Sequence, residues 1–158
     1  MGLGPPASPL SRRVNHIPDT TLWIGNVGDV WNLSRIYSEE ISVLFDLALN
    51  EPIPTLGREL IYCRFPLVDN QNNEVDVIEM AISALTMSLR KEKRTLVYCS
   101  NGASRSPVVA SAALSLVKGE PVERVLAMIS TIASLDVSPG LWNQVRSLPL
   151  ICESTLDK

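Results

Sequence analysis

The run Thr95-Leu96-Val97-Tyr98 leads through Cys99-Ser100-Asn101-Gly102-Ala103-Ser104-Arg105 into a segment opened by Ser106-Pro107. An apolar, partly β-branched run fits a buried strand, and serine followed by proline fits a helix start. A strand, a short polar loop with one glycine and a helix in direct succession restrict the chain to folds in which helices cover a sheet. The remaining sequence repeats this alternation. Thr21–Gly25, Ser42–Leu47 and Glu59–Phe65 read as strands, the last stopped by Pro66, with Pro52, Pro54 and Gly57 marking a loop between the second and third. Asp29–Tyr37 reads as a short helix. From Glu74, capped by Asn73, Val75, Ile78, Ile82, Leu85 and Leu89 fall at steps of three and four and form one helical stripe. Pro107–Lys118 reads as a helix stopped by Gly119, and Pro121 starts another with Val122, Val125, Leu126, Ile129 and Ile132 on one face. Ser138-Pro139-Gly140 turns into a last helix, Leu141–Leu148. The expectation is a single α/β domain with a mostly parallel sheet of about four to five strands flanked by helices.

Proline-rich residues 1–18 are expected to form a flexible leader, 19–149 the folded domain and 150–158 a short loose tail. A net charge of −3 gives no reason to expect nucleic-acid or anionic-membrane binding. No run of 18 apolar residues predicts a membrane span, and Gly2 lacks the downstream Ser or Thr of a myristoylation motif because Pro6 stands there. Three widely spaced cysteines and a single histidine, His16, offer neither a disulfide framework nor a zinc cluster. That pattern fits a reducing compartment, the cytoplasm, and no cofactor or metal is expected. His16 is assigned no role.

A cysteine at a strand end, five residues and then an arginine suit covalent phosphate chemistry. Loop N–H groups and the following helix N-terminus form a concavity for an anion and favour the thiolate of a cysteine held there. The planar fork of Arg105 can grip two phosphoryl oxygens. The spacing alone is weak evidence, since three cysteines and ten arginines in 158 residues produce about 0.2 chance matches. Its context makes it specific. The expected phosphate loop is Ser100, Asn101, Gly102, Ala103, Ser104 and Arg105, with Cys99 as nucleophile. Departure of the ester oxygen needs a proton donor. Asp69, on the polar loop after a strand, is the candidate, and Asp76 and Glu74 are rivals that belong to a helix first turn. Because ligands on such sheets gather at the carboxyl ends of strands, Asp69 and Cys99 belong on one rim. Ser106 can hydrogen-bond the sulfur, act as a plain N-cap, or do both.

These residues carry a resemblance. Tyr98–Pro107 resembles the His-Cys-x-x-Gly-x-x-Arg-Ser signature of cysteine-dependent protein phosphatases, above all the small atypical dual-specificity group. Phe65-Pro66-Leu67-Val68-Asp69 matches the place of that family's general acid. Leu22–Asn26 resembles its opening strand and turn, and Pro139–Gln144 resembles its late Pro-Asn-x-Gly-Phe-x-x-Gln segment. The resemblance implies the dual-specificity phosphatase fold and a phosphocysteine on Cys99. It further implies phosphoryl binding by Arg105, acid-then-base work by Asp69, and no metal. Two departures stand out: Tyr98 replaces the usual histidine, which implies a slower enzyme, and the late segment has Ser138-Pro139-Gly140 without its asparagine. The uncharged loop positions speak against inositol phospholipids, leaving phosphorylated proteins or peptides as the expected partners and phosphate-like anions as the ions bound in the site. A phosphate-binding pseudoenzyme of low turnover and the same chemistry on a non-protein phosphate ester are the alternatives. Cys63 as a redox partner of Cys99 is a further option, set against its reading as a core residue.

Overall fold

The computed structural model describes residues 14–154. The elements run β1 (Asn15–His16), β2 (Leu22–Asn26), α1 (Val27–Trp31), α2 (Leu33–Ser38), β3 (Val43–Ala48), β4 (Ile61–Leu67), α3 (Val75–Arg90) and β5 (Thr95–Cys99). Four helices follow: α4 (Arg105–Lys118), α5 (Val122–Ser130), α6 (Pro139–Arg146) and α7 (Pro149–Glu153). One five-stranded sheet has the order β1-β2-β5-β3-β4. Strands β2, β5, β3 and β4 are mutually parallel, and only β1 is antiparallel. The expected mostly parallel α/β sheet is the one observed.

Alternation along each strand divides the core into two. Val97 and Cys99 join Ile24, Phe45 and the apolar faces of α3, α4 and α5 on one side. Leu96 and Tyr98 point the other way, into a smaller cluster with Trp23, Leu44, Val30 and Ile36. Cover on both faces explains why β3 and β5 are apolar almost without interruption. Helix α4 is the centre of the larger layer, buried from Arg105 to Ser115 and ended by Gly119 at φ 65°, a left-handed conformation that suits glycine. The parallel strands all finish at one edge, so the segments after Asn26, Ala48, Leu67 and Cys99 share one rim.

Several boundaries differ from the sequence reading. Residues 14–18 do not belong to a free leader: Asn15 and His16 pair with Ile24 and Trp23, and Ile17 is buried. His16 also packs its ring on Trp23, 4.5 Å between centroids, while the Arg94 guanidinium lies 4.6 Å from the Trp23 ring. The early prolines Pro5, Pro6 and Pro9 lie outside the described residues. The tail gives way to α7, which buries Ile151; residues 155–158 again lie outside. The helix expected over Asp29–Tyr37 is broken at Asn32 into α1 and α2. Strand β4 continues through Pro66 because it is an edge strand and the register slips opposite Leu47, so the missing N–H costs no ladder bond.

Candidate active site

Gly102 sets the shape of the loop between β5 and α4. Its φ of 71° lies in the left-handed region, and a Cβ there would come 2.8 Å from the Gly25 carbonyl oxygen at the end of β2. Any side chain would push the loop off the sheet edge. The loop delivers Arg105 and Ser106 to the first turn of α4, where Ser104 makes no side-chain capping bond. The helix therefore starts two residues earlier than the sequence suggested, and Ser106 is not its N-cap. Its Oγ lies 3.2 Å from Cys99 Sγ instead, so the sulfur contact is the one realised. Ser104, freed from capping, donates to Asp69 Oδ1 at 2.6 Å and accepts from the Ser138 N–H at 2.9 Å.

Arg105 is almost wholly buried and held from three sides. Its Nη1 donates to Asn50 Oδ1 and to the Leu67 carbonyl, both at 2.9 Å, and its Nη2 donates to Ser100 Oγ at 2.9 Å. A guanidinium has five N–H donors, so Nε–H and one Nη2 proton are left for an oxyanion. Asp69, Cys99, Asn101, Ala103, Ser104, Arg105 and Asp136 line one pocket of about 70 Å³. A liquid water takes about 30 Å³, so the space suits a single tetrahedral oxyanion. The hollow lined by Val14, Asn32 and Arg35 is roomier, at about 700 Å³, but holds no cysteine. Chemistry locates the site, not volume.

The loop that carries Asp69 is tied by Asn73. Its side chain accepts from the Val68 N–H at 2.8 Å and donates to the carbonyls of Val68 and Asn70 at 2.9 Å each. Asn73 was expected to cap α3; Glu74 takes that place, with Asp76 in the first turn, and the asparagine shapes the acid loop instead. Gln144, on α6, donates to the Asn73 carbonyl and braces the same loop. Asp136 escaped the sequence reading. It follows no motif, and the bond from its N–H to the Ala103 carbonyl, 2.9 Å, brings it to the pocket only through the fold. Asn50 escaped for the same reason, 55 residues from the arginine it holds.

Cys63 is no redox partner for Cys99. In the parallel register Val97 lies beside Phe45 and Phe45 beside Cys63. Two strand spacings and two residues along put the Cα atoms of Cys99 and Cys63 roughly 12 Å apart. A disulfide needs less than about 7 Å. Cys63 packs against the core, and burial pushes its thiol pKa up.

Tyr98 stands opposite Asp46 in the β3–β5 register, beneath the loop. Asp46 is fully buried and accepts hydrogen bonds from the Ala48 N–H at 2.9 Å and from the Tyr62 hydroxyl at 2.5 Å. Burial, then that hydrogen bond and the negative charge of Asp46, raise the Tyr62 pKa to about 12, with Arg64 opposing. The Tyr98 hydroxyl faces the same carboxyl and is pushed up by burial first, yet it makes no hydrogen bond of acceptable geometry. A buried hydroxyl without a partner costs about 1–3 kcal/mol. Tyr98→Phe is therefore expected to leave stability unchanged or to raise it by about 1 kcal/mol, read from the denaturant midpoint. A loss above about 1 kcal/mol would show that the hydroxyl is satisfied after all.

Solved structures of dual-specificity phosphatases share this fold. No family model matches the chain. It is 25% identical over 127 residues to mouse dual specificity phosphatase 28, covering 79% of this chain and 77% of that protein. The crystal structure of human DUSP28 superposes with a TM-score of 0.73 at 19% identity, over 87% of this chain and 92% of that one. A mouse putative dual specificity phosphatase complexed with zinc tungstate gives 0.77 at 24% identity, over 97% and 93%. All three of these proteins carry the dual-specificity phosphatase name, and the likeness extends over most of the chain.

Proposed function

We propose that the protein is a phosphomonoester hydrolase of the dual-specificity protein phosphatase type that works through a phosphocysteine. The observation that carries this reading is that Cys99, Arg105 and Asp69 line one small pocket. The Cys99 thiolate attacks phosphorus, the P–O ester bond breaks, and Asp69 gives its proton to the departing oxygen. Water then attacks phosphorus and gives a proton to Asp69. The P–S bond breaks, and Cys99 leaves as thiolate with the Ser106 hydroxyl donating to its sulfur. Arg105 and the loop amides stabilise the equatorial oxygens through both steps.

Phosphorylated protein is the proposed substrate class, because among the described residues Arg105 is the only cation lining the pocket and Asp69 and Asp136 flank it. Such a mouth disfavours esters with further phosphates nearby. Cys63 and Cys99 carry free thiols, which supports a reducing compartment such as the cytoplasm, and no helix among the described residues is long and apolar enough to cross a membrane. A matched panel tests the reading: a phosphotyrosine peptide, a phosphothreonine peptide, an inositol phospholipid and a nucleotide. The peptides are expected to exceed the other two in kcat/KM by at least about tenfold, a discrimination of roughly 1.4 kcal/mol. Turnover confined to the lipid or nucleotide would move the chemistry to a non-protein ester. Tight anion binding with no turnover would favour the pseudoenzyme that Tyr98 in place of histidine raises.

A further inference from the structure

Arg105 must present its two remaining donors in one fixed plane, and the structure shows how that plane is set. The contacts come from three separate segments: Leu67 at the end of β4, Ser100 in the phosphate loop, and Asn50 just beyond β3. Asn50 differs from the other two because its Oδ1 also accepts from Ser100 Oγ at 3.2 Å. One oxygen thus joins the first residue of the phosphate loop to the last. Its own backbone is secured in turn: Arg64 Nη2 reaches the carbonyls of Ala48, Leu49 and Glu51 at 3.4, 3.3 and 3.3 Å, on both sides of Asn50.

We propose that Asn50 is a positioning residue for the reaction: it fixes the guanidinium plane of Arg105, and Arg64 fixes Asn50. The inference rests on the phosphatase reading for its kinetic consequence, though not for its geometry. Without the amide oxygen, Arg105 Nη1 keeps only the Leu67 carbonyl and Ser100 loses its hydrogen-bond acceptor. The fork then samples orientations in which only one donor meets the oxyanion. Asn50 is exposed on a loop, so its truncation removes no core packing.

The test compares wild type, Asn50→Ala and Arg105→Lys. Tungstate affinity is measured by calorimetry, kcat/KM on an aryl phosphate by absorbance, and the arginine Nε–H signals by proton–nitrogen correlation spectra. The signal missing from Arg105→Lys identifies Arg105. Asn50→Ala is expected to lower both tungstate affinity and kcat/KM about tenfold, and to shift or broaden the Arg105 signal while the other arginines keep theirs. An unmoved Arg105 signal, or a loss below about twofold in tungstate affinity, would overturn the proposal. A wild type that binds tungstate without hydrolysing the ester would sink the phosphatase reading alone, and the affinity and spectral comparison would still decide the role of Asn50.

Discussion

Cys99→Ser is expected to abolish aryl phosphate hydrolysis, lowering kcat on the order of 10⁴-fold or more while tungstate still binds. A serine hydroxyl keeps its proton where a thiol gives it up, so the exchange removes the nucleophile and little else. The surroundings of the atom are preserved: Ser106 remains 3.2 Å away, and Arg105 keeps its ties to Asn50, Leu67 and Ser100. Both side chains are small, and the buried position at the end of β5 loses little packing. Two measurements are needed, kcat by absorbance and anion affinity by calorimetry. Hydrolysis that survives the exchange would eliminate the phosphocysteine route, because no second cysteine reaches the pocket.

Asp69→Asn is expected to lower kcat by about 10²–10³-fold on phenyl phosphate, within the range for a lost general acid. On an ester whose leaving group is already a stable anion, such as p-nitrophenolate, the loss is expected to shrink to about tenfold or less, because that oxygen needs little protonation. This dependence separates an acid from a residue that only shapes the pocket, which would cost the same on both esters. Asp136→Asn is the necessary companion, since Asp136 lines the same pocket. A steep leaving-group dependence for Asp136→Asn and none for Asp69→Asn would transfer the acid role. The tether from Ser104, 2.6 Å to Asp69 Oδ1, favours Asp69, because it ties that carboxyl to the loop between Cys99 and Arg105.

Local signals were strong where they were dense. The stripe from Ile78 to Leu89 became α3, the apolar run at Thr95 became β5, and Gly119 became a left-handed helix end. They failed where a distant partner decides. Asn73 looked like a cap because it precedes an acidic, apolar-striped segment, but the loop around Asp69 offered its amide three better bonds. Pro66 looked like a strand stop because it cannot donate, and β4 absorbed it by lying at the sheet edge. Val14 and Ile17 looked like leader residues, yet a partner strand 22 to 26 was waiting to bury them.

The loop opposite Tyr98 shows the division most clearly. Sequence alone determined where the proposed nucleophile, the arginine, the glycine between them and the helix they open would lie, because all four belong to seven consecutive residues and the following turn. Spacing along one strand and one helix is enough to place such groups, since backbone geometry fixes their relative positions. Tertiary structure decided everything that aims them. It set the Arg105 plane through Asn50 and Leu67, the Asp69 tether through Ser104 and Ser138, and the second carboxyl of Asp136 at the pocket. Asn50, Leu67 and Asp69 come from separate segments that meet because four parallel strands end at one edge, and Asp136 and Ser138 reach the same rim from the connection between α5 and α6. No local pattern encodes a bond across 55 residues, and the fold alone brings its two ends to 2.9 Å.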